Sequence, residues 1–175
     1  MKKVDIYKSP FTAMLWSFAL PGFGQLYNRD YLLGLLLITW EVVLNLYSNL
    51  NIALMYSFHG DFAKAHEIIN YEWGLFYPSV FAFSMWQAYN KAKVIRHSRE
   101  HDTELKKVYF TGLFFGLTAG MNIGLTTHIH LHINMLKFLN APVFSGVFLG
   151  MIGAGLGHLI EMYFAKQRNS SKNTV

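Results

Sequence analysis

The sequence predicts an all-α fold, a polytopic membrane helix bundle of four spans preceded by an N-terminal half-helix or re-entrant segment. Three observations carry this reading. The 175 residues are 53% hydrophobic and only 14% charged, where a soluble domain carries about 25% charged residues. The apolar residues are bunched into stretches at 31–58, 73–89, 109–127 and 143–163, each close to the roughly 20 residues that a helix needs to cross a hydrocarbon core. None of these stretches alternates apolar with polar residues as the strands of a membrane barrel do, so the spans are helices, which satisfy their own backbone hydrogen bonds.

The first element is read from "SPFTAMLWSFALPGFGQLYN". An apolar run stops at Pro21, Gly22, Phe23 and Gly24. Proline lacks an amide proton, and glycine admits irregular backbone. A helix ending there has about ten residues and rises about 15 Å, half a bilayer, so it dips in from one face or lies along it. Charge gives the same answer. If residues 11–27 do not cross, the N-terminus, the Lys91–Lys107 loop and the C-terminal tail share one side. That side then carries thirteen of the 15 basic residues and leaves Lys64 and Lys137 opposite. If residues 11–27 cross, the split is ten against five. The positive-inside rule selects the first arrangement and puts both termini on the cytoplasmic side. Tyr27, Tyr31, Tyr89, Tyr109 and Tyr163 then fall near the inner interface, and Tyr47, Tyr71 and Trp73 near the outer one, as an aromatic belt requires. The basic start imitates a signal peptide, but no A-x-A-like pattern follows it, so the segment is expected to be retained.

The expected organisation is an interfacial or re-entrant segment at 1–30, a first helical pair at 31–91, a basic cytoplasmic loop at 92–106, a glycine-rich hairpin at 107–165 and a disordered tail at 166–175. The spans are expected at about 31–54, 72–91, 107–128 and 142–165. The motif "PGFGQLYN" fits the pattern PG-[LF]-GQ-x-YN and resembles a bacterial group of multi-span membrane proteins, loosely TM2-domain-like or permease-like. In that group the first unit often closes with Asp-Ala-Tyr-x-x-Ala. Here "QAYNKA" stands in that place, with Gln87 where the acid would be, and Arg29-Asp30 replaces the usual Gly-Gln. The resemblance covers about half of the chain, rests on short motifs, and implies a fold rather than a chemistry.

Within the expected spans two patterns stand out. Gly112, Gly116, Gly120 and Gly124 recur every fourth residue, and Gly146, Gly150, Gly153 and Gly157 recur at four, three and four. Such faces let backbones approach closely, so these glycines are read as a helix-packing seam, within one hairpin or between copies. The second pattern is polar. Glu41, Asn45, Ser48 and Asn49 fall within about one quadrant of a helix, with Glu41 close to mid-membrane. A carboxylate there costs at least about 2.5–3.5 kcal/mol on insertion scales, so it faces other helices or water. Gln87 and Asn122 can reach the same interior. The set reads as a proton or cation path, or as a hydrogen-bonded clamp. His158 and Glu161, three apart near the inner end of the last span, can bind a metal or relay protons, or form an interfacial pair.

On the outer side, "THIHLHINML" places His128, His130 and His132 in alternation, with His59 and His66 on the same side. Imidazoles suit zinc, copper or nickel, and Asp61 or Glu67 can supply the carboxylate that orients such ligands. The same cluster can sense acid, or be a polar loop without a ligand. The chain has no cysteine, which excludes disulfides and thiolate sites. It also lacks P-loop, GxSxG, HExxH and dinucleotide signatures. The composition therefore points to a non-enzymatic membrane module that scaffolds or assists a larger envelope or transport complex, with a protein partner or its own copies. The alternative is a small proton- or cation-linked transporter or channel using the Glu41 stripe; an intramembrane hydrolase or metalloenzyme stands third. No resident cofactor is expected beyond a divalent transition metal at the outer histidines. The basic residues, in juxtamembrane positions, suit anionic lipid rather than nucleic acid.

Overall fold

In the computed structural model, residues 8–101, 108–127 and 137–172 are described, and among them all regular structure is helical. The helices are α1 Pro10–Ala19, α2 Phe23–Tyr27, α3 Tyr31–Ser48, α4 Leu50–Phe58, α5 Phe62–Ile68, α6 Tyr71–Gly74, α7 Tyr77–His101, α8 Thr111–Thr127 and α9 Pro142–Lys172, with a 3-10 turn at Lys137–Asn140 before α9. The chain divides into two compact units, Met1–Val42 with Phe83–Tyr109, and Val43–Ala82 with Phe110–Val175.

The N-terminal half-helix is present. Ser9 caps α1 by accepting the Thr12 N–H, and Pro10 stands at its first turn, where a missing amide proton costs nothing. The helix stops after 10 residues, because Leu20 turns extended and Pro21 cannot continue the ladder. Gly22, at φ 107°, then opens α2, a conformation that side chains with a Cβ rarely adopt.

Among the described residues two helices, Tyr31–Ser48 and Pro142–Gln167, are long and apolar enough to cross a membrane. α8 has 17 residues, and α7 mixes Gln87, Asn90, Lys91 and Lys93 into its middle, so the four expected spans are matched by length and composition at two of them. The first expected span, 31–54, ends at Ser48. Asn49 takes a left-handed conformation at φ 59° and its Nδ2 donates to Ile68 O at 3.1 Å. Ser48 Oγ accepts the Leu50 N–H, and Ser48 O accepts the Asn70 N–H at 3.0 Å. These local polar contacts compete with the helix and fold 50–68 into a helical hairpin, turned at Gly60 (φ 79°) and returned to its own starting point. Two helices run on past the expected spans. α7 runs through His101 into the expected loop at 92–106, helped by an Arg96–Glu100 ion pair at 2.8 Å, four residues apart. Residues 166–172 of the expected disordered tail continue α9.

In the first unit, Ala13, Ala88 and Ala92 form a small core with Tyr27 against it. Gly24 lies so close that a Cβ there would overlap Ala13 O, Ser17 Oγ and Ala88 Cβ. In the second unit the core is Leu50, Ala53, Ala65, Ile69 and Leu125, beside an antiparallel α8–α9 hairpin. A Cβ at Gly112, Gly116, Gly120 or Gly124 would overlap the carbonyl oxygen of Gly157, Gly153, Leu149 or Ser145 respectively. The glycine seam of the sequence is thus a contact within one chain. Gly146 and Gly150 instead meet the side chains of Leu125 and Met121.

These contacts rank substitutions. Gly116→Leu should destabilise the hairpin by at least about 1–3 kcal/mol, because the obstacle is backbone and cannot repack. Leu113→Ile should be mild. Gly155 has nothing within 4 Å of the added Cβ, so Gly155→Ala should be neutral or gain up to about 1 kcal/mol from helix propensity. Thermal unfolding in detergent would measure all three, and equal loss at Gly116 and Gly155 would contradict the seam.

Candidate functional site

The densest polar site lies in the first unit, where α2 meets α7. Gln25 is completely buried. Its Oε1 accepts from Ser17 Oγ at 3.2 Å and from Ser84 Oγ at 3.1 Å. Its Nε2 donates to Ser84 O and to Gln87 Oε1, both at 2.8 Å. Gln87 Nε2 passes the chain on to Asp30 Oδ2 at 3.3 Å. Two neighbours of Gln25 in the motif bind the same helix: the Gly22 N–H donates to Ser84 Oγ at 3.1 Å, and Asn28 Nδ2 to Ala88 O at 2.8 Å. Gly22, Gln25 and Asn28, three residues apart, thus act together as a ladder of polar contacts onto α7. Every polar atom of the Gln25 amide is engaged, which suits a clamp rather than a site that releases a ligand.

Glu41 is buried at 7% exposure. It shares its face of α3 with Leu37, Leu44 and Ser48, all buried, so the stripe read from the sequence is the packed face of that helix. The other residues of the expected path have separate attachments. Gln87 belongs to the Gln25 network, and Asn49 holds the turn into α4. Asn45 is half-buried on α3, and Asn122 is half-buried on α8, where its buried Oδ1 has no hydrogen-bond partner among the described residues. Glu161 Oε2 accepts the Gly112 N–H at 2.9 Å; a carboxylate there caps the first turn of α8 and complements its dipole. His158 packs its ring against Phe110, with centroids 5.5 Å apart.

Of the outer histidines, His59 Nδ1 lies 2.7 Å from Met55 O, and His66 Nδ1 shares a hydrogen bond with the Tyr71 hydroxyl at 2.7 Å. Burial pushes the Tyr71 phenol up to about 12. His128, His130 and His132 lie outside the described residues. Among the described residues no three His, Cys, Asp or Glu side chains come together as a metal site.

Ser17, Gln25, Asn28 and Ser84 were not singled out by sequence reasoning. The signal was there for two of them: Gln25 and Asn28 are the fixed amide positions of the PG-[LF]-GQ-x-YN pattern. No protein-family model matches this chain, and no curated protein or solved structure is similar to it. The likeness of "PGFGQLYN" to the TM2-domain-like group therefore stays a likeness of motif, whose polar members here are α7 contacts.

Gln25→Leu should be strongly destabilising. It removes the donor to Gln87 Oε1 and the acceptor of the Ser17 and Ser84 hydroxyls, at about 1–3 kcal/mol for each buried group left unsatisfied. Phe18→Ala, at an exposed position of α1, should be tolerated. Unfolding midpoints in detergent would compare them.

Proposed function

We propose that this protein is a non-enzymatic integral membrane module that scaffolds or assists a larger envelope or transport complex. In this reading it has four helical spans and a cytoplasmic N-terminal helical segment. The observation that carries it is the exposure of α9. Its most apolar stretch is only 17% buried, and Met151, Ile152, Leu156, Leu159, Ile160 and Phe164 are all exposed. The apolar core helix of a soluble protein would be mostly buried, since each Å² of apolar surface left in water forgoes about 25 cal/mol. Lipid or a partner helix covers this face. α3 supports the same reading, with 28% burial over its apolar length. The scaffold reading draws on the Gln25 network, whose polar groups are spent on holding helices together.

The membrane part is tested by carbonate extraction and by reporter fusions. The protein should stay in the membrane pellet, and fusions after Lys107 and at Val175 should both report a cytoplasmic side. An external signal at either would overturn the topology. Purification in mild detergent should bring down a partner protein, and a bare monomer would count against a scaffold.

The burial of Glu41 on an apolar helix favours one second reading, proton- or cation-linked transport. An intramembrane carboxyl persists where it is paired, hydrated or used. Glu41→Gln decides between the two. The amide preserves shape and hydrogen bonding, so a clamp should keep both expression level and phenotype. A carrier should fold normally and lose activity, and wild type should show a carboxyl infrared band that titrates in lipid. A normal phenotype without titration removes the transport reading.

A further inference from the structure

We propose that the basic–aromatic end of the first unit, built from Arg29, Lys91 and Lys93 beside Tyr27, Tyr31 and Tyr109, is a docking surface for the phosphate headgroups of anionic lipids. This deepens the membrane reading above and rests on it. α2 and α7 meet here through Asn28, whose amide donates to Ala88 O, so Arg29 and the 91–93 turn of α7 belong to one end of the unit. Asn90 closes the other flank: its Nδ2 donates to Tyr109 O at 3.0 Å and its Oδ1 accepts the Tyr109 N–H at 2.8 Å. That clamp brings Tyr109 beside α7, and Lys93 Nζ lies 4.9 Å from the Tyr109 ring centre and 6.0 Å from that of Tyr89. Lys8 repeats the arrangement on α1, with its Nζ 4.2 Å from the Tyr27 ring centre and bonded to Tyr27 O.

Amphipathic rings and long cationic side chains at one level are what a headgroup layer selects: the ring lies at the acyl boundary and the ammonium extends outward to phosphate. The charge balance leaves cations for that use. Asp30, whose carboxylate accepts from Gln87, offsets one of the three charges, and Glu100 is paired with Arg96. Among the described residues, Arg29, Lys91 and Lys93 have no ion pair, and Arg29 and Lys91 are exposed. The second unit offers a built-in comparison: Lys64 also sits over a tyrosine ring, 4.7 Å from the centre of Tyr56, but as a solitary cation next to Asp61, whose carboxylate caps α5.

The test uses the full chain in nanodiscs of phosphatidylcholine and of an equimolar mixture with phosphatidylglycerol. Thermal stability and the lipids retained in native mass spectrometry are the readouts. Wild type should be more stable in the anionic discs and should retain phosphatidylglycerol preferentially. Lys91→Gln with Lys93→Gln should weaken that retention about fivefold per cation removed, while Lys91→Arg with Lys93→Arg restores it and Lys64→Gln leaves it unchanged. Equal loss in Lys64→Gln would reduce the effect to net charge and overturn the site. Equal stabilisation of detergent-solubilised protein by inorganic phosphate would make it a free-phosphate site and overturn the lipid assignment. Protein that resists carbonate extraction yet shows no anionic preference overturns this inference alone. Protein that carbonate releases overturns the membrane reading beneath it.

Discussion

Both units depend on backbones that approach without a Cβ between them. In the first, Gly24 lets α2 lie against Ala13 and Ser17 of α1 and against Ala88 of α7. In the second, Gly112, Gly116, Gly120 and Gly124 set α8 directly on the carbonyls of α9. In lipid this matters more than in water, because the bilayer is as apolar as the side chains and no hydrophobic gain drives helices together. In the membrane reading proposed above, dispersion contacts and weak Cα–H···O contacts between close backbones would supply the association, and both fall away quickly with separation.

Close approach has a second consequence in the first unit: it makes a polar network possible. With Gly24 against Ala88, the neighbouring Gln25 side chain is near enough to reach Ser84 and Gln87 on α7 and Ser17 on α1. The same short distance excludes water, so an amide left without partners there would be costly. Glycine and glutamine are therefore one device, the first setting the gap and the second filling it with directed bonds. Among the described residues the second unit has no such network along its seam. Its polar contact is at the end, where Glu161 caps α8.

What was legible in the sequence follows from this division. Stop signals were legible, because Pro21 and Gly22 act on their own backbone, and α1 ends where they are. The glycine faces were legible too, because a period of four needs no partner to be seen, and their mates are in the same chain. The break at Asn49 was not. It depends on Ile68 and Asn70 returning some twenty residues later, and hydropathy sees only a continuing apolar run through Phe58. The Gln25 network was hidden for the same reason, since Gln25 and Ser84 are 59 residues apart. The polar stripe on α3 was legible as a buried face, but not the scattering of Gln87, Asn49 and Glu161 to separate attachments.

The regularity of the α8 glycines raises a question of register. A slip of one helical turn, about 5.4 Å, would still set Gly116 against Gly157 and Gly120 against Gly153, because both helices repeat glycine at nearly the same interval. The seam alone therefore fixes the distance between the helices but not their offset. The offset comes from the two ends. At one, the Glu161 carboxylate reaches the Gly112 N–H, and a slip would carry it a full turn past that amide. At the other, Leu125 sits in the core with Leu50 and Ala65, and Phe144 meets Phe58 edge to face at 5.1 Å. A slipped hairpin would have to give up the carboxylate cap, the Leu125 contact or the ring pair. The α4–α5 hairpin created by the Asn49 break thus has a structural task, which is to hold one end of a seam that could not otherwise choose its own alignment.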